Sequence, residues 1–168
     1  GGLVGLTLTA TVNQSYATGN VVGNKTIGGL VGGNFDSAID NTYATGDVNG
    51  LVGADDVGGL IGNNYGSSGG NITNSFSIGS VSGTTDVGGL VGVNQTGTIT
   101  NSYYNSETSG QSDTGKGEGK TTLEMKVPAT FSSWDIDTTL TYLGNKKQVL
   151  LFGILLLIIY QQFLMYFQ

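Results

Sequence analysis

The stretch Gly28-Gly29-Leu30-Val31-Gly32 returns three more times, as Gly1-Gly2-Leu3-Val4-Gly5, Gly58-Gly59-Leu60-Ile61-Gly62 and Gly88-Gly89-Leu90-Val91-Gly92. A second box alternates with it: Gln14-Ser15-Tyr16-Ala17-Thr18-Gly19, Asn41-Thr42-Tyr43-Ala44-Thr45-Gly46, Asn74-Ser75-Phe76-Ser77-Ile78-Gly79, and a shortened Asn101-Ser102-Tyr103. The pentads step by 27, 30 and 30 residues and the aromatic positions by 27, 33 and 27. Both series fit one 27-residue unit with three-residue insertions inside 47–57 and 63–73. Boxes of fixed length joined by gaps that stretch describe stacked elements joined by exposed turns.

Each unit offers three β-like runs. The first is the pentad with its approach, as in Val87-Gly88-Gly89-Leu90-Val91. The second is Ile39-Asp40-Asn41-Thr42-Tyr43 and its echoes, and the third is short: Val21-Val22-Gly23, Val48-Asn49-Gly50 and Val81-Ser82-Gly83. Strand alternation places Ile39, Asn41 and Tyr43 on one face and Thr42 on the other, exposed one. Three strands per unit predict a right-handed parallel β-helix (a β-solenoid) of about four coils, each about 4.8 Å above the last. Equivalent residues then form ladders: Leu3, Leu30, Leu60 and Leu90; Val12, Ile39, Ile72 and Ile99; and the aromatics Tyr16, Tyr43, Phe76 and Tyr103, whose phase with Ile and Val places them in the core. Burying each aliphatic contributes about 1.5–3 kcal/mol. Asn41, Asn74 and Asn101 are expected to bond turn backbone or the Asn of the next coil, and Asn34, Asn64 and Asn94 to cap turns in the same way.

Thirty glycines and a single proline, with hydrophobics at 38%, fit strands joined by tight turns. Glycines at fixed phase mark positions that need positive φ or close approach of chains. His, Cys and Arg are absent. A chain without His has no Ser–His–Asp triad and no HExxH zinc site. The net charge is −6, and residues 1–100 hold six Asp against Lys25 alone. Such a surface does not neutralise phosphates, which argues against nucleic-acid binding. The sequence starts at Gly1 inside a repeat, without Met or signal peptide, and reads as a piece of something longer.

The alternation of Gly-Gly-Leu-Val-Gly with Asn-Ser-Tyr-Ala-Thr-Gly and Val-x-Gly resembles the GLUG-motif repeats of bacterial surface and secreted proteins. These include adhesins similar to filamentous haemagglutinin and the non-catalytic region of IgA-cleaving metallopeptidases. The resemblance covers residues 1–104 and extends weakly through 112–137, where Gly119-Lys120-Thr121-Thr122 and Trp134-Asp135 stand. It implies secretion, a structural or adhesive role, and a host or cell-surface glycan or protein as partner; it brings no catalytic residues. The first unit departs from the pattern at Leu6-Thr7 and Gln14. The organisation that follows is repeats over 1–104, a loop and C-terminal cap over 105–138, and an apolar tail over 139–168.

Several stretches invite chemistry. Gly115-Lys116-Gly117-Glu118-Gly119-Lys120-Thr121 superficially matches a phosphate-binding loop, but Thr114 stands where that loop requires Gly. As a calcium loop it fails too, since Gly115 and Gly117 follow Asp113 where oxygen ligands belong. Asp55-Asp56 and Asp86 precede pentads at similar phase and so approach one another on neighbouring coils. Paired carboxylates serve glycosidases, so a polysaccharide-active or glycan-binding solenoid using these Asp residues, or a weak Ca²⁺ site, is the alternative to solvated turn carboxylates. The reading preferred here is a non-enzymatic repeat module, with no catalytic, cofactor or metal residues assigned. Four sequons, at Asn13, Asn24, Asn71 and Asn94, are expected by accident in so Asn- and Thr-rich a chain.

Past the repeats, residues 121–126 suggest one helical turn stopped by Pro128, and Phe131, Trp134 and Ile136 offer apolar surface to cover the last coil, because a solenoid end exposes strand edges. The run from Val149 to Phe167 is just long enough for a membrane helix. Lys146-Lys147 before it would place the repeats in the cytoplasm by the positive-inside tendency, against the surface reading. The tail is therefore an anchor, a self-associating apolar end or a foreign reading frame joined near Thr138.

Overall fold

The computed structural model describes residues 1–67, 70–114 and 116–134. Ile136, Thr138 and the apolar run from Val149 to Phe167 lie outside the described residues. The described chain divides into a unit ending at Met125 and a second beginning at Lys126.

The first unit is a parallel β-solenoid of about four coils. The pentad sheet stacks Val4–Leu8, Val31–Phe35, Ile61–Tyr65 and Val91–Asn94. The isoleucine sheet stacks Thr11–Asn13, Ala38–Asp40, Ile72–Thr73 and Ile99–Thr100. The aromatic sheet stacks Tyr16–Ala17, Tyr43–Ala44, Phe76–Ser77, Tyr103–Asn105 and a fifth strand, Glu118–Lys120. The valine sheet contains Val21–Gly28, Val48–Gly58, Val81–Ser82 and Val87–Gly88. Each coil thus has four sides where the sequence predicted three.

The ladders hold in register: Val31 pairs with Val4 and Ile61, Ile39 with Val12 and Ile72, and Phe76 with Tyr43 and Tyr103. Leu30, Leu60, Leu90, Ile39 and Ile72 are wholly buried in one core cluster with Val31, Ile61 and Val91. A second cluster, Ile27, Val48, Ala54, Val57 and Val81, is formed by residues of the valine sheet itself. The predicted insertions fall where the pairing slips. Gly23 faces Gly50 while Lys25 faces Asp55, and the turn from Tyr65 to Ile72 is longer than that from Phe35 to Ile39.

Two expectations about the coil are corrected. The second run is not one strand. Asn41 adopts φ 52°, and Gln14, Asn74 and Asn101 do likewise at 49°, 46° and 48°, so each turns a corner between the isoleucine and aromatic sheets. Short polar side chains tolerate this left-handed conformation better than most. The break cancels the simple alternation: Thr42, expected on the exposed face, is 1% exposed and its hydroxyl lies 3.0 Å from that of Ser75. The pentad is likewise a corner. Gly28 ends the valine sheet and Val31 begins the pentad sheet. A Cβ on Gly28 would lie 2.0 Å from the Val31 carbonyl oxygen, and one on Gly29 2.8 Å from the Ala44 Cβ. Close approach explains these glycines. Positive φ is carried largely by Asn, Asp, Thr and Gln.

That contact also sets the direction of the aromatics. Ala44 faces inward onto Gly29, so its neighbour Tyr43 points to the opposite, outer face of the sheet. The aromatic ladder is buried, but it does not belong to the interior as the sequence suggested. Its rings stack 5.1 Å apart, Tyr16 on Tyr43 at 6° and Tyr43 on Phe76 at 10°. Tyr43 is 6% exposed, whereas Tyr16, in the first described coil, is 47% exposed.

The top of the stack is closed by residues 105–120. The inward position occupied by Ala17, Ala44 and Ser77 below becomes Tyr104, whose ring covers Gly89. Asn105 caps the short helix Ser106–Ser109 by accepting from the amides of Glu107 and Thr108. The chain then crosses the coil, with Gly117 against Leu90, and returns as Glu118–Lys120 alongside Tyr103–Asn105. Thr121 and Glu124 bond reciprocally, Thr121 N–H to Glu124 Oε2 at 2.8 Å and Glu124 N–H to Thr121 Oγ1 at 3.2 Å. This capping box starts the 3₁₀ turn Glu124–Lys126.

The second unit, as far as it is described, holds a 3₁₀ turn, Pro128–Phe131, opened by its proline. Phe131 and Trp134 meet edge-on with centroids 4.9 Å apart. The covering of the first unit's last coil described above comes from its own residues 105–120.

Candidate functional site

Side chains stack in columns along the solenoid, and the carboxylate column was the candidate for chemistry. The carboxylate column lies on the valine sheet. Val57 pairs with both Ile27 and Val87, so the residues just before them, Thr26, Asp56 and Asp86, occupy equivalent positions one above another. All three have positive φ, 50°, 53° and 51°, so this column is also a kink in the strand. The structure therefore brings Asp56 and Asp86 to adjacent positions as expected. Asp56 Oδ2 accepts from Thr26 Oγ1 at 3.3 Å and from Asn63 Nδ2 at 2.9 Å. Asp55 sits beside Lys25 at 3.5 Å, a largely exposed pair of small energetic weight. Among the described residues, no group of three or more His, Cys, Asp or Glu is placed to hold a metal ion.

The asparagine column is interior. Thr7 Oγ1 donates to Asn34 Oδ1 at 2.5 Å, Asn34 Nδ2 to Asn64 Oδ1 at 2.8 Å, and Asn64 Nδ2 to Asn94 Oδ1 at 2.7 Å. The same amides donate to turn carbonyls, Asn34 to Ser37 at 2.9 Å, Asn64 to Gly70 at 2.8 Å and Asn94 to Gly97 at 3.3 Å. The expected turn-capping role is thus observed, with a cross-coil ladder added to it. Outside, Asn41 Nδ2 donates to Asn13 Oδ1 at 3.2 Å, and Asn74 Nδ2 to Asn41 Oδ1 at 3.4 Å. Other Asp side chains also tie coil to coil. Asp40 accepts from Thr73 at 2.6 Å and Asp47 from the Ser80 amide at 2.9 Å. That amide bond is the main cause holding the Asp47 carboxyl below its ordinary pKa.

In the aromatic column, burial first and the neighbouring Tyr16 second push the Tyr43 hydroxyl up to about 12. That hydroxyl is buried without a hydrogen-bond partner among the described residues. At the top, Lys120 Nζ stands 5.5 Å from the Tyr103 ring centroid and 2.6 Å from Glu118 Oε1. Its pKa is raised, first by the hydrogen bond to Glu118.

The segment that superficially matched a phosphate loop is used differently. The Glu118 amide donates to the Ser102 carbonyl at 3.0 Å, and the Val91 amide to the Lys116 carbonyl at 3.2 Å. Asp113 Oδ1 accepts from the Gly89 amide at 3.0 Å, and the Asp113 carbonyl accepts from the Tyr104 hydroxyl at 3.0 Å. Burial is the first cause raising the Tyr104 pKa. Sequence reasoning missed Tyr104 and Asp113 as closing residues. The signal was present: small residues at 17, 44 and 77 give way to Tyr at 104.

The geometry defines a class, a capped β-solenoid whose polar ladders bind coil to coil. The comparisons agree. Residues 23–49 and 83–105 match the family described as "The GLUG motif", so the chain carries two copies of that motif. The chain is 50% identical over 44 residues to a protein of Evansella cellulosilytica described as a "Putative Gly-rich membrane protein". The match covers 25% of this chain and 5% of that relative's length. No solved structure matches the chain. No helix among the described residues is long and apolar enough to cross a membrane, which says nothing about a β-barrel.

Proposed function

We propose that this chain is a non-enzymatic structural module of a bacterial secreted or cell-surface protein, serving as a stalk or as an adhesion surface toward a glycan or protein. The observation that carries this reading is the use made of its polar side chains. Asn34, Asn64, Asp40, Asp47 and Asp56 each accept or donate across a coil boundary. Side chains spent in this way stiffen a rod along its axis. The GLUG motif and the Gly-rich membrane protein relative support placement at the cell envelope.

The alternative is a polysaccharide-active or glycan-binding solenoid. The stacked positions of Asp56 and Asp86 favour it, since two carboxylates on one face are what glycoside hydrolysis requires. Incubation of the chain with candidate polysaccharides, followed by assay for new reducing ends, separates the two readings. The structural reading expects none. Turnover that disappears in Asp86→Ala would overturn it, while binding without turnover, measured on glycan arrays, would make the module an adhesin.

A further inference from the structure

Alternation along the pentad strands sorts their side chains by face. Asn34 and Asn64 are wholly buried in the interior ladder, so Gly33 and Phe35 on one coil and Asn63 and Tyr65 on the next face outward. Phe35 and Tyr65 meet edge-on with centroids 5.3 Å apart, and both residues stay partly exposed. Tyr65 reaches back across Gly33 of the preceding coil. A Cβ on Gly33 would lie 3.5 Å from Tyr65 Cε1 and 3.7 Å from Thr26 Cγ2, so ring and methyl flank the same point.

Thr26 joins this aromatic surface to the carboxylate column. Its hydroxyl and the Asn63 amide both donate to Asp56 Oδ2, and Asp86 stands exposed at the equivalent position one coil on. Asn63 Oδ1 is buried and meets no donor among the described residues. Native structures leave few buried acceptors in that state, because each costs stability until a donor reaches it. The patch thus combines an aromatic ring, two carboxylates and an acceptor that lacks its donor.

We propose that this outer face of the pentad sheet is a subsite for an uncharged hexopyranose unit of a polysaccharide, an inference that rests on the glycan-binding reading above. The Tyr65 ring presents an electron-rich π face to the positively polarised C–H face of a sugar. Asp56 and Asp86 accept from sugar hydroxyls, and hydrogen bonds to ionised acceptors are the stronger kind. Other occupants fit worse. An apolar segment laid on this face takes both carboxylates out of water and returns no hydrogen bonds. An acidic sugar or a phosphate meets Asp55, Asp56 and Asp86, and the one cation of residues 1–100, Lys25, already stands beside Asp55.

The test titrates the full 168-residue chain by calorimetry with oligosaccharides of neutral glucan, mannan and galactan, and with polygalacturonate as the acidic control. At least one neutral oligosaccharide should bind. Tyr65→Ala should weaken that binding by about tenfold or more, and Tyr65→Phe, which keeps the ring, by less than about twofold. Asp86→Asn, at an exposed position, should weaken it about fivefold or more with an unchanged β-type circular dichroism spectrum. Asp86→Asn decides alone if Tyr65→Ala loses that spectrum. Thr100→Ala, exposed on the isoleucine sheet, should bind as the natural chain does. Unchanged binding in a folded Tyr65→Ala or in Asp86→Asn, or an equal loss in Thr100→Ala, overturns this site and leaves glycan adhesion elsewhere on the module standing. Tighter binding of polygalacturonate than of any neutral oligosaccharide does the same. No binding of any neutral oligosaccharide overturns both the site and the glycan reading.

Discussion

Asn34 and Asn64, thirty residues apart, are both wholly buried, and the amide of the first donates to the carbonyl oxygen of the second at 2.8 Å. A buried amide must satisfy both ends of its side chain or cost stability. Here the coil repeat supplies the acceptor above and the local turn supplies a second acceptor, the Ser37 carbonyl.

Asn64 sits mid-ladder, bonded to Asn34, Asn94 and the carbonyls of Gly70 and Thr96. Asn64→Ala removes all four and leaves the Asn34 amide with the Ser37 carbonyl alone, so it should cost about 2–3 kcal/mol in urea unfolding. Asn94→Ala, at the half-exposed end of the column, should cost about 1 kcal/mol. Equal losses would mean that the ladder carries no cooperative weight.

Tyr43 has a buried hydroxyl without a partner among the described residues, and Phe76 occupies the same ladder position one coil up. Tyr43→Phe should therefore be neutral or stabilising by up to about 1 kcal/mol. It should also change the alkaline limb. The folded pKa is raised from 10.0 to about 12, so the neutral hydroxyl's contribution is complete below pH 10 and is lost as pH rises toward 12. Melting temperatures across that window should fall less steeply for Tyr43→Phe than for the natural chain.

Thr42 tests the corner. Simple alternation places it in solvent, yet it is 1% exposed and faces Ser75. Thr42→Asp buries a carboxylate and should cost at least about 2 kcal/mol, whereas Thr18→Asp, at an exposed position, should stay within about 0.5 kcal/mol. A small effect at position 42 would restore the uninterrupted strand.

This corner marks where the sequence ceases to be legible. Period, insertions and the Leu and Ile ladders could be read because each recurs on an identical residue type, and stacked coils must repeat their contacts. The corners could not. The pattern Ile39-Asp40-Asn41-Thr42-Tyr43 satisfies strand alternation perfectly well, and only the positive φ at Asn41 divides it into two strands facing different ways. Gly29-Leu30 likewise read as part of a strand, whereas it is the corner between the valine and pentad sheets. The carboxylate column was legible as phase, Asp56 under Asp86. Its hydrogen bonds to Thr26 and Asn63 arise from cross-coil and cross-sheet proximity that no spacing rule supplies.

Tyr104 closes the interior, 1% exposed over Gly89 with its hydroxyl on the Asp113 carbonyl. Tyr104→Ala should cost about 3–5 kcal/mol, as expected for removing a large aromatic side chain from a packed site. Hydrogen exchange should show the loss first at the amides of Gly89 and Val91, which donate to Asp113 and Lys116.

The last prediction sets the domain boundary, which the sequence placed at residue 104 with a cap to follow. Residues 105–120 supply the fifth strand of the aromatic sheet, the Asp113 contact to Gly89 and the packing of Gly117 on Leu90. The compact unit correspondingly runs to Met125. In a solenoid each coil is stabilised by its neighbours, so an uncovered last coil frays and weakens those below. A chain ending at Met125 should retain a β-type circular dichroism spectrum and melt cooperatively. A chain ending at Tyr104 should melt at lower temperature, with its Leu90 and Val91 amides exchanging early. Loss of cooperative melting in the 125-residue chain would show that residues beyond it are needed for the fold. An unchanged melt in the 104-residue chain would show that the last coil needs no cover.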